Sequence, residues 1–354
     1  MKKNILLTGG AGFVGSSLAL YVQKRWKGCR VICFDNLIRK GSSLNVQRLK
    51  DNGIQFIRGD IRDKKKLFSL PKIDCLAECS AEPSVTAAYH DPNYTVETNL
   101  FGTVNCLELA RRDKADFIFL SSSRIYPIEP MNDIPFTESA TRYDWKKTAK
   151  GLGYSHQGIR ENFPLDGVRS LYGATKLCSE HIAQEYFAMF GIKGVVNRIG
   201  VIAGPWQMGR VDQGVVGFWT ARHKFGGKLS YIGYGGSGKQ LRDAVHIDDV
   251  CGLIFYQMRN ISKVHGKIFN AGGGRRNTFS LYELTGLVQR ITGSRIPIAE
   301  FAEERKSDVR IYITDNSAVK AVIGWSPKRN LEDIVRDVNF WIDAHKSKLA
   351  PILR

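Results

Sequence analysis

The sequence contains no apolar run near the roughly 20 residues that a membrane-spanning helix needs, so no bilayer span is expected. Near its start, Asn4-Ile5-Leu6-Leu7 is too short for a signal-peptide core and runs straight into a glycine motif. It reads as a first strand, and the protein as cytoplasmic. Neither an internal repeat nor a low-complexity tract occurs, which argues against a repeat array. Cysteine occurs seven times, an odd number, with no Cys-x-x-Cys pair. Cys29/Cys33 and Cys75/Cys79 are each four apart on strand-like stretches, where such residues lie roughly 13 Å apart. One such pair cannot chelate one ion, so no metal site is expected. Reduced, mostly buried thiols fit better.

Acid is also scarce. Asp and Glu number 34 against 52 Lys and Arg, a net charge of +18. That excess favours anionic partners, including nucleotides, nucleic acid and acidic membranes. The basic residues are spread along the chain, with short clusters such as Lys64-Lys65-Lys66, and no nucleic-acid motif accompanies them. Neither nucleic acid nor a membrane is expected as a partner.

What is present is alternation. Asn4–Thr8, Arg30–Phe34, Gln55–Arg58, Cys75–Ala77 and Phe117–Ser121 read as strands, with helical patterns such as Ser17–Trp26 and Leu100–Arg112 between them. Val195–Arg198 and Lys267–Asn270 read as further strands. Alternation of this kind predicts an α/β fold, a Rossmann doubly wound parallel sheet. From about residue 199, Gly/Pro-rich turns separate shorter elements. The expected division is a dinucleotide-binding domain over 1–198 and a smaller C-terminal substrate-binding lobe over 199–354, with a return segment near 244–255.

Gly9, Gly12 and Gly15 follow the first strand and precede a helix, with Phe13 and Val14 between the last two. Glycine permits the tight turn and close approach to a pyrophosphate, and the helix start offers unpaired N–H groups. Asp35 ends the next strand, 20 residues after Gly15, where an acid accepts ribose hydroxyls and repels a 2′-phosphate. NAD is therefore favoured over NADP, although Arg39 and Lys40 follow closely. Asp60, in Gly59-Asp60-Ile61, suits either the adenine amine or the N-cap of a helix over 62–67.

Tyr172 and Lys176 are four apart, which on a helix puts both on one face. An ammonium beside a phenol favours the phenolate and draws the Tyr pKa from ~10 towards neutrality. A phenolate can take a proton from a substrate hydroxyl while hydride leaves for nicotinamide. Ser121-Ser122-Ser123 ends a strand some 50 residues earlier and supplies a hydroxyl for the reacting oxygen.

TGGAGFVG, Asp35-Asn36, Gly59-Asp60, SSSRIY, YGATK and Arg198 together resemble the extended short-chain dehydrogenase/reductase superfamily of nucleotide-sugar enzymes, the NAD-dependent epimerase/dehydratase family, over nearly the whole chain. The resemblance implies NAD as cofactor and a triad of Ser122, Tyr172 and Lys176, with Ser123 as the fallback for the serine. It implies a cofactor site of Gly9, Gly12, Phe13, Val14, Gly15, Asp35, Asn36, Arg39, Asp60, Ile61 and Asn99, together with Tyr172 and Lys176. Substrate contacts are implied for Ser123, Arg124, Asn197, Gln207, Gln213, Arg242 and Arg310. Arg242 and Arg310 would face the diphosphate, though an ordinary Arg242–Asp243 ion pair is the alternative for the first. Trp206 suits a sugar or base pocket and core packing equally.

The family's dehydratases carry Asp-Glu directly after the triad hydroxyl. Here Ser123 and Arg124 stand there, so dehydration is not expected. Segments including Ala81-Glu82-Pro83-Ser84-Val85, Gly204-Pro205-Trp206-Gln207-Met208-Gly209 and Gln213-Gly214 are similar to the CDP-paratose (CDP-tyvelose) 2-epimerase branch. That branch implies a nucleotide-diphosphate sugar as partner, CDP-sugars favoured, and transient oxidation of a ring hydroxyl followed by hydride return. A sugar 4-epimerase, and a dehydrogenase or reductase releasing NADH, are the alternatives. For the latter, Cys178 falls on another helix face than Lys176 and Cys79 stays open as a thiol. The 142–168 stretch is expected to be an excursion closing over the substrate. Relatives often pair through a four-helix interface that includes the YxxxK helix, so a homodimer is compatible with the resemblance, without independent support in the sequence.

Overall fold

The structure, a computed structural model, describes residues 3–303 and 307–354. Seven short apolar runs form one sheet: β1 (Lys3–Thr8), β2 (Cys29–Asp35), β3 (Gln55–Arg58), β4 (Cys75–Glu78), β5 (Asp116–Ser122), β6 (Gly194–Ile199) and β7 (Ile268–Ala271). Their order is β7-β6-β5-β4-β1-β2-β3. β1 pairs in parallel with both β2 and β4, β2 with β3, and β4 with β5. The order reverses direction at β1 and β4, and ligands of such sheets bind at the strand ends beside that switch point. β1 reads as a continuous apolar run because it is central and covered on both faces; Ile5, Leu6 and Leu7 are fully buried.

The helices follow local signals. α1 (Phe13–Arg25) begins at Gly12, whose extended backbone forms the N-cap, and ends on Lys24 and Arg25, cations suited to a helix C-terminus. α2 (Ser42–Asp51) and α3 (Lys64–Phe68) follow. A π-helical turn, Glu97–Phe101, leads into α4 (Gly102–Asp113). α5 (Leu171–Phe190) starts at Ser170, whose hydroxyl accepts the Gly173 N–H, and stops at Gly191 in the left-handed conformation. Phe117 and Phe119 of β5 pack with Leu107 and Ala110 of α4 and with Ala183 and Phe187 of α5 in one core.

The chain separates into two compact units. One runs to Ile125 and adds Ser170–Arg198 and Val250–Phe269; the other holds Tyr126–Arg169, Ile199–Asp249 and Asn270–Arg354. This differs from a boundary at 199: residues 126–169 fall in the second unit, and the return to the first begins at Val250 rather than 244. The reason lies in long-range ion pairs. Arg142 pairs with Glu283, Asp144 with Arg275 at 2.6 Å, and Arg160 with Asp315 at 2.9 Å. Tyr143 and Trp145 of this stretch are buried. The 142–168 excursion is thus pinned within the second unit as a hairpin (Phe136–Glu138 with Tyr143–Trp145) and a small three-stranded sheet. No helix among the described residues is long and apolar enough to cross a membrane.

The YxxxK helix and two strands meet at one buried ion pair. Arg198 of β6 meets Glu180 of α5 at 2.8 Å, with side chains 3% and 0% exposed, and Ser121 of β5 donates to the same carboxylate. Removing one partner of a buried pair strands the other charge, at a cost of about 3–5 kcal/mol. Arg198→Ala should lose that much in chemical denaturation. The double change Arg198→Met/Glu180→Leu should lose much less.

Candidate functional site

The glycine turn is dictated by space. Gly9 has φ +62°, and a Cβ there would lie 2.7 Å from the Cys79 carbonyl oxygen at the end of β4; a Cβ on Gly15 would lie 2.2 Å from the Gly9 oxygen. No side chain caps the start of α1, and its first turn holds no acid. The N–H groups there remain available to an anion, and a pyrophosphate fits that cradle by size and charge. Phe13 and Val14, the first helical residues, are half-buried.

Asp35 accepts the Ala11 N–H at 3.0 Å and the Leu37 N–H at 2.8 Å. Burial pushes its carboxyl pKa up, and the Leu37, Ala11 and Gly12 amides pull it back. It therefore splints the turn to β2, and the remaining lone pairs of both oxygens can still serve a ribose diol. Asn36 donates to Asp60 at 2.9 Å. Asp60 is not a helix cap, since Asp63 takes that place at α3. Instead Arg62 grips it through backbone and guanidinium, and these bonds, with Asn36, hold its carboxyl down to about 2 against the desolvation that raises it. Ile61 is buried in the core, and its carbonyl accepts the Asn105 side-chain amide at 2.9 Å. Arg39 lies 3.9 Å from Glu82.

Asn99 is fully buried in the π-helical turn. Its side chain accepts the Glu82 N–H at 2.8 Å and donates to the Glu82 carbonyl at 3.0 Å. Both ends of the amide thus clamp the segment after β4.

The candidate triad lies within the first unit. Strand alternation sends Ser121 to Glu180 and leaves Ser122 at the end of β5, where its hydroxyl accepts the Arg124 N–H at 3.1 Å and pulls the Tyr172 phenol down. That separates Ser122 from its neighbours Ser121 and Ser123 as partner of Tyr172. Tyr172 and Lys176 lie on consecutive turns of α5, both buried. The expected drop in the Tyr172 pKa is not found. Burial raises it, and the groups that pull it down are Ser122 and then the positive charge of Arg124. Lys176 is not among them. Its ammonium lies 4.6 Å from the centre of the Phe119 ring, and burial lowers its pKa. Arg124, in the short turn Ser123–Ile125, thus acts on the phenol electrostatically, a role sequence spacing did not reveal.

Asn197 is not brought to this site. It is fully buried and exchanges two hydrogen bonds, 2.9 and 2.7 Å, with Gln257. The Cys79 thiol is pushed up to about 12, first by burial, and so is inert as a thiolate nucleophile. Cys178 is exposed.

In the second unit, Arg242 and Arg310 come together. Arg242 pairs with Asp308 at 2.6 Å, not with Asp243, and also reaches the Val309 carbonyl at 2.6 Å. The Leu241 N–H donates to the Arg310 carbonyl at 2.9 Å, and the Arg310 guanidinium sits 4.2 Å over the Phe136 ring and 5.2 Å over Tyr234. Gln207 donates to the Ile202 carbonyl at 2.9 Å. Its Oε1 and both polar atoms of Gln213 are buried without a hydrogen-bond partner, which marks them as groups awaiting one. Trp206 packs on His345 at 4.8 Å and on Trp341 at 5.8 Å.

The model of the NAD dependent epimerase/dehydratase family matches residues 5–272. The chain belongs to that family. Its cofactor is NAD, as the family's name states and the glycine cradle and Asp35 fit. A CDP-paratose 2-epimerase from Salmonella typhi is 31% identical over 346 residues, covering 95% of this chain and 98% of that protein. Among solved structures, a UDP-glucuronic acid 4-epimerase from Bacillus cereus, crystallised with UDP-glucuronic acid and NAD, matches with a TM-score of 0.79 at 25% identity, covering 96% of this chain and 99% of that one. A UDP-glucose 4-epimerase from Thermotoga maritima, bound to UDP-glucose, matches with a TM-score of 0.77 at 26% identity over 97% and 99% of the two chains.

The electrostatics of the family site yield a prediction. A cation beside a phenol stabilises the phenolate, so removing it raises the phenol pKa. Arg124→Gln should move the acidic limb of the turnover profile to higher pH by about one unit, the low end of such charge effects. A pH series of kcat checks this.

Proposed function

We propose that this protein is a nucleotide-sugar epimerase acting on a CDP-sugar at C2, by oxidation and re-reduction of one ring carbon. The observation that carries this reading is Ser122 at the end of β5 with Tyr172 and Lys176 buried on consecutive turns of α5, the phenol drawn down by Ser122 and then by the charge of Arg124 and pushed up by that of Glu82. Ser122 holds the sugar oxygen, and Tyr172 takes the hydroxyl proton and later returns it to the ketone. When bound, NAD supplies the acceptor for hydride and gives the hydride back. Ser123 and Arg124 offer no acid and base for elimination of water, which separates this site from dehydratase chemistry. A thiol-dependent oxidation to a carboxylate is disfavoured by the Cys79 thiol, which desolvation keeps protonated.

Within the second unit, Arg242 and Arg310 are proposed to bind the diphosphate, since guanidinium forks match phosphate oxygens. Gln207 and Gln213 are proposed for the polar groups of sugar or base. The 2-epimerase of Salmonella typhi supports C2 and CDP. UDP-glucuronate and UDP-glucose 4-epimerases at 27% and 28% identity support C4 as the second reading. A homodimer through α4 and α5 is proposed as the assembly, on the exposed Phe101, Met189 and Phe190.

Tyr172→Phe should lower kcat by roughly 10²–10⁴-fold while NAD binding, read by cofactor fluorescence after reduction, stays near that of the unaltered protein. A wild-type rate would remove Tyr172 from the mechanism. A CDP-sugar deuterated at C2 should give the 2-epimer with the label retained at C2. Inversion at C4 would assign the second reading, and accumulation of free NADH would assign a dehydrogenase.

A further inference from the structure

Glu78 has no part in the reading above. It ends β4, the apolar run Cys75-Leu76-Ala77-Glu78, and is fully buried. Strand register sets it beside Thr8 of β1 and Phe119 of β5. Phe119 is the ring over which the Lys176 ammonium lies. One buried carboxyl group and one buried amine are thus brought to the same strand pair, by β4 and α5. The Glu78 Oε2 atom is buried with no hydrogen-bond partner. A buried charge left without an opposite charge is strongly disfavoured.

We propose that Glu78 is the counter-charge of Lys176, a positioning residue that keeps the ammonium charged in its buried seat within the candidate triad. The inference rests on the triad reading for its catalytic consequence, but the pair itself does not. Thr103 of α4 sits where it serves both protonation states of Glu78. Its hydroxyl oxygen is 2.7 Å from Glu78 Oε1 and 2.7 Å from the Asn99 carbonyl. A single hydroxyl proton can go to only one of them. With Glu78 ionised, Thr103 donates to the carboxylate, and Ser179 donates to the Asn99 carbonyl at 3.0 Å. With Glu78 protonated, the carboxylic acid donates to Thr103, which donates to Asn99.

The electrostatics run the same way. Burial pushes Glu78 up to about 7, and the charge of Lys176 is the leading influence drawing it back. Burial pushes Lys176 down, and the charge of Glu78 is the leading influence holding it up. The other titratable groups facing Lys176 are Cys79, Cys106 and Glu180. Burial keeps both thiols neutral, and Glu180 is bound to Arg198. Glu78 is therefore the carboxylate left to balance the ammonium.

The test uses the full NAD-loaded enzyme with ¹³C-labelled lysine, the Lys176 resonance being assigned by its loss in Lys176→Arg. Glu78→Gln keeps the shape and the acceptor for Thr103 but removes the charge. Its Lys176 pKa should fall by about one to three pH units, the range of a close opposite charge. The basic limb of kcat should move to lower pH by a similar amount, with the sugar KM little changed. Glu78→Asp should recover part of both shifts, and it replaces the glutamine variant if that one does not fold. A folded variant whose Lys176 titration stays where it was overturns the proposal, as a merely structural Glu78 would leave it unmoved. The resonance reports on the pair even if Tyr172→Phe retains full activity, so failure of the triad and failure of the pair are told apart.

Discussion

The buried Arg198–Glu180 ion pair is the constraint on which the candidate triad depends. It ties β6 to α5, and through Ser121 it reaches β5. Those strands and that helix carry every member of the triad. Because Ser121 is held to Glu180, the next residue, Ser122, must face the other way at the strand end. Because Glu180 is fixed one helical turn beyond Lys176, the rotation of α5 about its axis is fixed too. Beyond the charge of Glu180 felt by Lys176, the bond that sets this geometry takes no part in the reaction. It acts by leaving the helix no alternative rotation that keeps two buried charges paired.

Burial, more than neighbouring charge, then governs the titrating groups. Tyr172, Glu78, Cys79 and Lys176 all have their charged forms penalised by desolvation. The thiols respond by staying neutral. Tyr172 is partly rescued by Ser122 and Arg124. Such a site holds protons that move only when a specific partner supports the charge left behind, a property suited to reversible proton transfer without leakage to solvent.

The sheet was legible in the sequence because its strands are short apolar runs ending in glycine or polar residues. Arg30–Phe34 and Phe117–Ser121 each lengthen by one residue at either end, and Gln55–Arg58 is unchanged. The glycine turn and the YxxxK spacing were legible because both are local. What was not legible depends on distant partners. Asn197 meets Gln257 sixty residues away, and Arg242 chooses Asp308 over its neighbour Asp243. The excursion belongs to the second unit because Arg142, Asp144 and Arg160 find their partners beyond residue 270. The direction of the Tyr172 shift was missed for a related reason: spacing of four residues gives proximity on a helix, but says nothing of how dry the site is or which ring the ammonium rests on. Glu78 did leave a trace, an acid closing an otherwise apolar strand.

The π-helical turn at Glu97–Phe101 makes the segment sensitive to chain length in a way that composition does not express. A π turn holds one more residue than the α turn it replaces, and each residue of an α-helix advances the side chains by about 100°. Deleting one residue here would not simply shorten a loop. It would rewind the turn and rotate either Asn99 or Thr103 away from its present direction, since the two could no longer face β4 and α5 together. The extra residue thus acts as a phase shift that keeps two helical segments in register with two different neighbours. Substitutions along this turn are tolerable in principle, whereas a change of length is not.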